Sequence, residues 1–376
     1  MITRATGSLV RIGVIGAGQL ARMMISPAVE LGIELRVFGE REGESADLAV
    51  TQRGSFTDAA DVLRFAETVD VVTFDHEHVP QDVLAALSAA GVPMHPSPAA
   101  LVFAQDKIAM RERLSALGLP VPDWKAVESA AQLDAFIAEH GGRCVVKTPR
   151  GGYDGKGVRL VTAAHEVADW FDNGPLLAEE LIEFRRELSQ LLARRPSGEV
   201  ATWPVVESVQ RDGVCAEVIA PAPNSRGKIA EVAVEIATSI AENLDVTGVL
   251  AVELFETTDD RLVINELAMR PHNSGHFSID GSRTSQFEQH LRAVLDLPLG
   301  ATDAREPWTV MVNVLGGVPD LAGRYAAALA DQPGVKLHFY GKESRPGRKV
   351  GHVTATGKDL DEVVYRARAA TAFFEV

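Results

Sequence analysis

Two glutamates, Glu253 and Glu266, carry the first chemical suggestion in the sequence. Glu253 follows the strand-like run Gly248-Val-Leu-Ala-Val, and Glu266 sits in a second such run, Arg261-Leu-Val-Ile-Asn265-Glu266-Leu. The polar segment Glu256-Thr257-Thr258-Asp259-Asp260 reads as the turn between them. A hairpin centred between Asp259 and Asp260 sets the two carboxylates directly opposite on one face, with Cβ atoms about 4.5–5.5 Å apart. Like charges so placed repel unless a cation lies between them. Carboxylate oxygens suit Mg2+, which commonly bridges a protein to substrate phosphates. Asn265 adds a neutral oxygen beside them. A bulge in either strand would spoil this register.

The run Lys147-Thr-Pro-Arg150-Gly151-Gly152-Tyr153-Asp154-Gly155-Lys156-Gly157-Val158 places four glycines within seven residues, between two strand-like segments. Such a loop can fold over a triphosphate and offer backbone N–H groups, while Lys147, Arg150 and Lys156 supply positive charge. It lacks the residue order of a P-loop, and no helix follows directly. Arg270-Pro-His272-Asn273-Ser274-Gly-His276 comes after the second acidic strand and offers donors to a phosphate or a hydroxylated ligand. Lys342, Arg345, Arg348 and Lys349 crowd eight positions around Pro346-Gly347, which reads as a shaped anion pocket. A further turn, Gly16-x-Gly18-x-x-Ala21 with Glu40 after the next strand, has the outline of a dinucleotide site. By itself it supports an NAD-dependent oxidoreductase.

These groups need a scaffold. Leu9–Ile15, Glu34–Phe38 and Val69–Phe74 read as strands alternating with helices, which argues for a parallel α/β sheet. Prolines at 93, 96 and 98 mark a boundary, and helices are expected around Ala99–Leu117. Strand and loop then alternate, and the chain ends in strands (Val335–Tyr340, Gly351–Thr356) and a helix (Leu360–Ala372). The expected class is α/β (α+β), and the length suits two or three domains. With 376 residues, 46% hydrophobic and 24% charged, the chain is globular rather than disordered. A net charge of -15 argues against nucleic-acid and anionic-membrane partners. No apolar run approaches a membrane span or a signal peptide. Two cysteines, Cys144 and Cys215, fit a reducing cytoplasm better than a disulfide scaffold.

The glycine loop, Glu253, Asn265-Glu266 and the order of the pieces resemble the ATP-grasp superfamily. Within it the chain is similar to the 5-(carboxyamino)imidazole ribonucleotide synthase family. The most specific matches are Gly151-Gly-Tyr-Asp-Gly-Lys-Gly157, His272-Asn-Ser-Gly-His276, Ser285-Gln-Phe-Glu288 and the run from Arg345 to His352. The resemblance implies three parts, with ATP bound between lid and body: a Rossmann-like pre-ATP-grasp domain over 1–104, an ATP-grasp domain over 105–300 with a lid at about 122–186, and a small β-rich part over 301–376. Lys107, Lys147, Gly152, Tyr153, Asp154, Gly155, Lys156, Gly157 and Val158 would meet the phosphates. Glu179, Glu180, Leu181 and Ile182 would frame adenine, Glu187 would take the ribose, and Gln210 stands where a histidine often contacts the nucleotide. Asn265 and Glu266 would complete that site, and Glu253 and Glu266 would hold Mg2+. Glu77, Tyr153, Asp154, Arg270, His272, Asn273, Ser274, Lys342, Arg345 and Arg348 would line the pocket for bicarbonate and aminoimidazole ribonucleotide. Asp154, with Arg270, Lys342 and Arg348, would act in catalysis, Asp154 orienting or deprotonating the amine. Asp75 stands where glutamate is expected and Met269 where proline is.

The implied activity is carboxylation of aminoimidazole ribonucleotide with ATP and bicarbonate, through carboxyphosphate, by a cytoplasmic homodimer. A formate-dependent glycinamide ribonucleotide transformylase is the nearest alternative. It is disfavoured because a His-Asp-Thr-Gly run would be expected at His272-Asn-Ser-Gly. A non-catalytic nucleotide-binding regulator leaves the full set of polar groups without a purpose.

Overall fold

The computed structural model describes residues 9–152, 157–211, 213–225, 227–318 and 320–375. The first sheet has four strands, β1 (Arg11–Ile15), β2 (Glu34–Gly39), β3 (Val50–Arg53) and β4 (Val71–Phe74), in the order β3-β2-β1-β4 and all parallel. Helices α1 (Gln19–Leu31) and α2 (Ala59–Ala66) make crossovers. Buried residues on every position of β4 fit a strand covered on both faces. β3 is absent from the sequence reading, because Val50-Thr-Gln-Arg is short and mostly polar.

Helices α3 (Gln81–Ala89), α4 (Pro98–Gln105) and α5 (Lys107–Ala116) lead out of this domain. Asp106 separates α4 from α5 within the region where the sequence suggests helices. Its backbone is extended, and its carboxylate caps α5 by accepting from the N–H groups of Ile108 and Ala109.

A second sheet follows, with β5 (Trp124–Val127), β6 (Cys144–Lys147), β7 (Val158–Val161) and β8 (Leu176–Glu179) in the order β5-β8-β6-β7. Helix α6 (Ala130–Glu139) closes a small core of its own, including Leu133, Phe136, Val146 and Leu176. The glycine loop joins antiparallel β6 to β7.

The third sheet is the largest. Its strands are β9 (Phe184–Arg194), β10 (Val200–Thr202), β11 (Val206–Arg211), β12 (Val214–Ala220), β13 (Gly248–Thr257), β14 (Leu262–Ala268), β15 (Trp308–Leu315), β16 (Lys336–Phe339) and β17 (Lys349–Gly357). They run β14-β13-β9-β11-β12-β15-β17-β16, with β10 paired to β9. Helices α7 (Lys228–Asn243), α8 (Ser278–Gly281), α9 (Gln286–Val294), α10 (Leu321–Asp331) and α11 (Leu360–Ala372) complete the chain. β12 pairs with β15, so one sheet runs across position 300 and the β-rich end extends the central body. Phe287, Leu291 and Val294 of α9 share a core with Leu20, Met24 and Ala28 of α1, which fixes the first domain against the body. Among the described residues no helix is long and apolar enough to cross a membrane.

A second tie holds the C-terminal helix to the body. Arg368 on α11 grips the fully buried Glu217 of β12 with two hydrogen bonds of 2.8 and 3.0 Å. Arg368→Leu leaves that carboxylate without its cation. The variant should lose roughly 2 kcal/mol, less than a fully buried pair because the arginine is half exposed. A urea midpoint lowered at unchanged slope checks this.

Candidate active site

An open cavity of about 1180 Å³ lies where the three sheets meet. On the side of the second sheet it is walled by the end of β6, the described part of the glycine loop and the segment after β8. β9, β11, β13 and β14 supply the floor, and the first domain and the 342–349 loop close the far end.

Lys147, the last residue of β6, is buried and donates to Glu179 Oε2 at 2.8 Å and to Asn265 Oδ1 at 3.0 Å. The other Glu179 oxygen accepts from Arg111 Nε at 2.5 Å, and Arg111 also donates to the Asn265 carbonyl at 2.6 Å. Burial opposes charge on Glu179, but Lys147 and Arg111 together hold its carboxyl below the ordinary range. Glu179 thus lines the cavity with its charge already matched. Arg111 escapes the sequence reading, although it stands beside Met110 and three places before Leu114 on the buried stripe of α5. The start of α5 also grips the entry to the glycine loop. Lys107 N donates to Pro149 O at 3.0 Å, and Arg150 Nε to Asp106 Oδ2 at 2.9 Å. Lys107 Nζ lies 3.2 Å from Glu266. Gly152 and Val158 line the cavity, and Gly157 turns the loop back with φ of 71°. Tyr153, Asp154, Gly155 and Lys156 lie outside the described residues.

The acid pair departs from the simple hairpin. Ala251 pairs with Ala268 and Val252 with Leu267, but Leu254 pairs with Ile264. Asn265 and Glu266 therefore stand together opposite Glu253, and the bulge replaces the one-to-one pairing expected from sequence. In a regular strand these neighbours would point to opposite faces. At this bulge both reach the cavity, beside Glu253. Burial, then repulsion from Glu266 and Glu187, pushes the Glu253 carboxyl up to about 8. Among the described residues no three His, Cys, Asp or Glu side chains converge as a metal site. Two crowded carboxylates and an amide oxygen still suit Mg2+, which takes remaining ligands from water and substrate phosphates.

At the end bordered by the segment after β8, Glu180 exchanges hydrogen bonds with the Asp123 backbone, its N donating to Asp123 O and its Oε1 accepting from Asp123 N, both at 2.8 Å. Leu181, Ile182, Phe184 and Phe255 give an apolar wall, the two rings stacked at 4.6 Å. The aromatic pair is a further feature that sequence reasoning missed. Glu187 is raised by burial, against a hydrogen bond from Gln210 and the field of Lys147. Gln210 also lines the cavity.

At the opposite end, Arg270 Nε meets Glu77 at 2.6 Å. His272 Nδ1 is 2.8 Å from Ser274 Oγ, and its Nε2 is 3.4 Å from Glu253. Burial, then Arg270 and Lys349, pushes this imidazole down to about 3, so it is neutral at physiological pH. Asn273 lines the cavity, and neither atom of its buried amide has a hydrogen-bond partner among the described residues. Ser274 does not reach the cavity. It is buried behind His272, bonded to Ser189 at 2.7 Å, so its place is that of a support rather than a ligand contact. The basic cluster divides as well. Lys342 and Lys349 face the cavity, and Lys342 donates to Gln19 of the first domain. Arg345 and Arg348 point out of it, exposed and bonded to Glu343, because the Pro346-Gly347 turn carries them away from the strand ends. Gln19 joins the site although it is not among the sequence candidates, and Lys349 joins it from the basic cluster.

The glycine turn at Gly16 is already filled. Asp75 Oδ2 accepts from Gly18 N at 3.0 Å and Oδ1 from Ala21 N at 2.7 Å. The chain's own carboxylate occupies the helix end where a dinucleotide's pyrophosphate would sit. This removes the basis for an NAD enzyme.

Three family models match in succession. They are a ribonucleotide synthetase preATP-grasp domain over residues 9–105, an ATP-grasp domain over 112–287 and a phosphoribosylaminoimidazole carboxylase C-terminal domain over 309–366. The N5-carboxyaminoimidazole ribonucleotide synthase of Mycobacterium bovis is 50% identical over 371 residues, spanning 96% of this chain and 86% of its own. The chain belongs to the N5-carboxyaminoimidazole ribonucleotide synthase family. Two solved structures from Aspergillus clavatus agree with this. A carboxyaminoimidazole ribonucleotide synthase complexed with ATP is 33% identical with a TM-score of 0.89, covering 98% of each chain. An N5-carboxyaminoimidazole synthase with ADP and 5-aminoimidazole ribonucleotide is 31% identical with a TM-score of 0.88, covering 98% of this chain and 99% of its own. As a member of this synthase family the chain is an ATP-grasp enzyme, an ATP-dependent C–N ligase.

Burial pushes the Asp75 carboxyl up to about 6, against its two N–H bonds and the field of Arg270. A raised acid is easier to keep protonated in the fold than in the unfolded chain. Its ionisation therefore costs stability as pH climbs from about 4 to about 6. Asp75→Asn removes that cost. Its stability relative to the parent should rise across this window by up to about 3 kcal/mol and be flat outside it. Paired melting curves between pH 3.5 and 7.5 measure the difference.

Proposed function

We infer that the chain carboxylates 5-aminoimidazole ribonucleotide on its exocyclic amine. The products are N5-carboxyaminoimidazole ribonucleotide, ADP and phosphate, in purine (IMP) synthesis. The observation that carries this reading is one continuous cavity with two unlike ends. One end has Lys107, Lys147 and the crowded acids Glu253 and Glu266. The other has Arg270, His272, Asn273, Lys342 and Lys349. The acids suit a nucleoside triphosphate with its metal, and the second end suits small anions.

The chemistry runs in two steps. A bicarbonate oxygen attacks the γ-phosphorus, the bond to the β-phosphate oxygen breaks, and ADP leaves. The amine then attacks the carboxyl carbon of carboxyphosphate, or of CO2 released from it. Phosphate departs and the nitrogen gives up a proton. Arg270, fixed by Glu77, and the neutral His272 are suited to holding bicarbonate next to the γ-phosphate. Lys147, oriented by Glu179, offsets charge on the transferring phosphoryl. Glu253 and Glu266, with Asn265, would hold Mg2+, which when bound neutralises charge on the phosphates. The lid excludes water from a hydrolysable intermediate. Asp154, outside the described residues, is assigned the amine proton. The reading includes a homodimer acting in the cytoplasm, where the free buried thiols of Cys144 and Cys215 would stay reduced.

ADP release with Mg-ATP and bicarbonate should rise strongly when aminoimidazole ribonucleotide is added. An unchanged rate sinks the reading, and stimulation by glycinamide ribonucleotide plus formate would favour the transformylase instead. Glu266→Gln should keep its circular dichroism and lose at least ~100-fold in turnover, on the order of 3 kcal/mol of transition-state stabilisation. Full activity in that variant would remove the metal assignment.

A further inference from the structure

We propose that Gln286 is a positioning residue: its side-chain amide clamps the backbone of His272 and so aims His272 and Asn273 into the cavity. The motif Ser285-Gln-Phe-Glu288 opens α9, with Ser285 capping the helix through Glu288 N at 3.1 Å. Gln286 is fully buried and has no contact with the cavity. Its Oε1 accepts from His272 N at 2.8 Å. Its Nε2 donates to His272 O at 2.8 Å and to His276 Nδ1 at 2.9 Å. One amide thus satisfies both backbone groups of a single residue, as a neighbouring strand would, and only one orientation of the amide does so.

The first turn of α9 holds the loop at further points. Gln286 N donates to Ser278 Oγ at 2.9 Å, and Ser278 Oγ donates to Gly275 O at 2.6 Å. Gly275 is the counterpart of the clamp. A Cβ there would stand 2.3 Å from Gln286 Oε1 and 2.3 Å from a Leu191 methyl. The His272 ring is set from behind by Ser274 and Ser189. Asn273, the very next residue, borders the cavity with its amide atoms buried. A buried N–H and C=O left unpaired at His272 would be costly, so the peptide plane follows the amide that satisfies them. Rotation of that plane would displace both side chains together.

The inference rests on the proposed carboxylation only for the identity of the ligands. Gln286→Met keeps the volume and removes all three hydrogen bonds. Gly275→Ala pushes on the clamp from the other side. Each should raise KM for bicarbonate or aminoimidazole ribonucleotide at least ~10-fold and leave KM for ATP within ~2-fold, because among the described residues the Gln286 side chain hydrogen-bonds only to His272 and His276. A merely structural role would lower the melting midpoint and the active fraction while leaving all three KM values unchanged; that result overturns the proposal. In the parent protein, 15N NMR of labelled histidine should show His276 protonated on Nε2, with Nδ1 accepting from Gln286. A proton on Nδ1 overturns the clamp even if neither variant folds. Absence of ribonucleotide-stimulated ADP release in the parent would defeat the functional reading alone, since the histidine tautomer still decides the clamp.

Discussion

Glu179 holds the cleft together. Its two oxygens are shared between Arg111 of α5 and Lys147 of β6, all three side chains being nearly removed from solvent. Taking three charges out of water is costly, and their mutual attraction offsets this only when the geometry is complete. Two further bonds come from β14, where the Asn265 carbonyl takes Arg111 and the Asn265 amide oxygen takes Lys147. Four elements are thereby referenced to one another: the helix leading into the lid, two lid strands and the strand that bears Glu266. Such a cluster adds little net stability. Its effect is to fix where the Lys147 ammonium stands relative to the acid pair.

The same matching of charge recurs along the cavity. Lys107 leans on Glu266, Arg270 on Glu77, and Lys147 on Glu179. These three cations are already held by carboxylates, and Lys342 by the Gln19 amide, so their directions are set before a ligand arrives. Glu253 is the exception. Its neighbour His272 is held neutral, so repulsion from Glu266 and Glu187 remains. Mismatch is concentrated at the place where a divalent cation would correct it. The net charge of -15 says nothing about this arrangement, because it counts the outer surface and the cavity together.

Local pattern made the parts of the fold legible. The alternation of strands and helices in the first domain, the β6–loop–β7 hairpin and the acid-bearing pair β13–β14 are all periodic or glycine-marked in the sequence. What stayed hidden depends on pairing between distant segments. The β12–β15 pairing joins residues about ninety positions apart and carries no local sign. The bulge at Glu253 is one extra residue in β14, invisible to a count that assumes strict opposition, yet it is what brings Asn265 and Glu266 to one side. Basic residues were harder still. Lys349 faces the cavity and Arg348, its neighbour, faces solvent, because β17 begins at Lys349. Arg111 and Arg113 sit on one helix, and only the first is buried. Charge in a sequence tells what a side chain can do, while the start of a strand or the buried face of a helix decides whether it does it there.

Glycine poses the same question in another form. A missing Cβ reports that something comes close, without saying what. At Gly18 the close neighbour is the carboxylate of Asp75, 2.1 Å from where a Cβ would be. At Gly275 it is the amide of Gln286. Both positions read from sequence as places for a ligand, and both are filled by the protein's own side chain. Gly152 does border the cavity, and beside it Gly151 has open space where a Cβ would stand. The distinction follows from burial. A glycine beside an apolar core tends to receive a polar group that is itself satisfying a backbone N–H or C=O, because an unpaired group there would be costly. A glycine beside open space keeps its N–H for something that comes from outside.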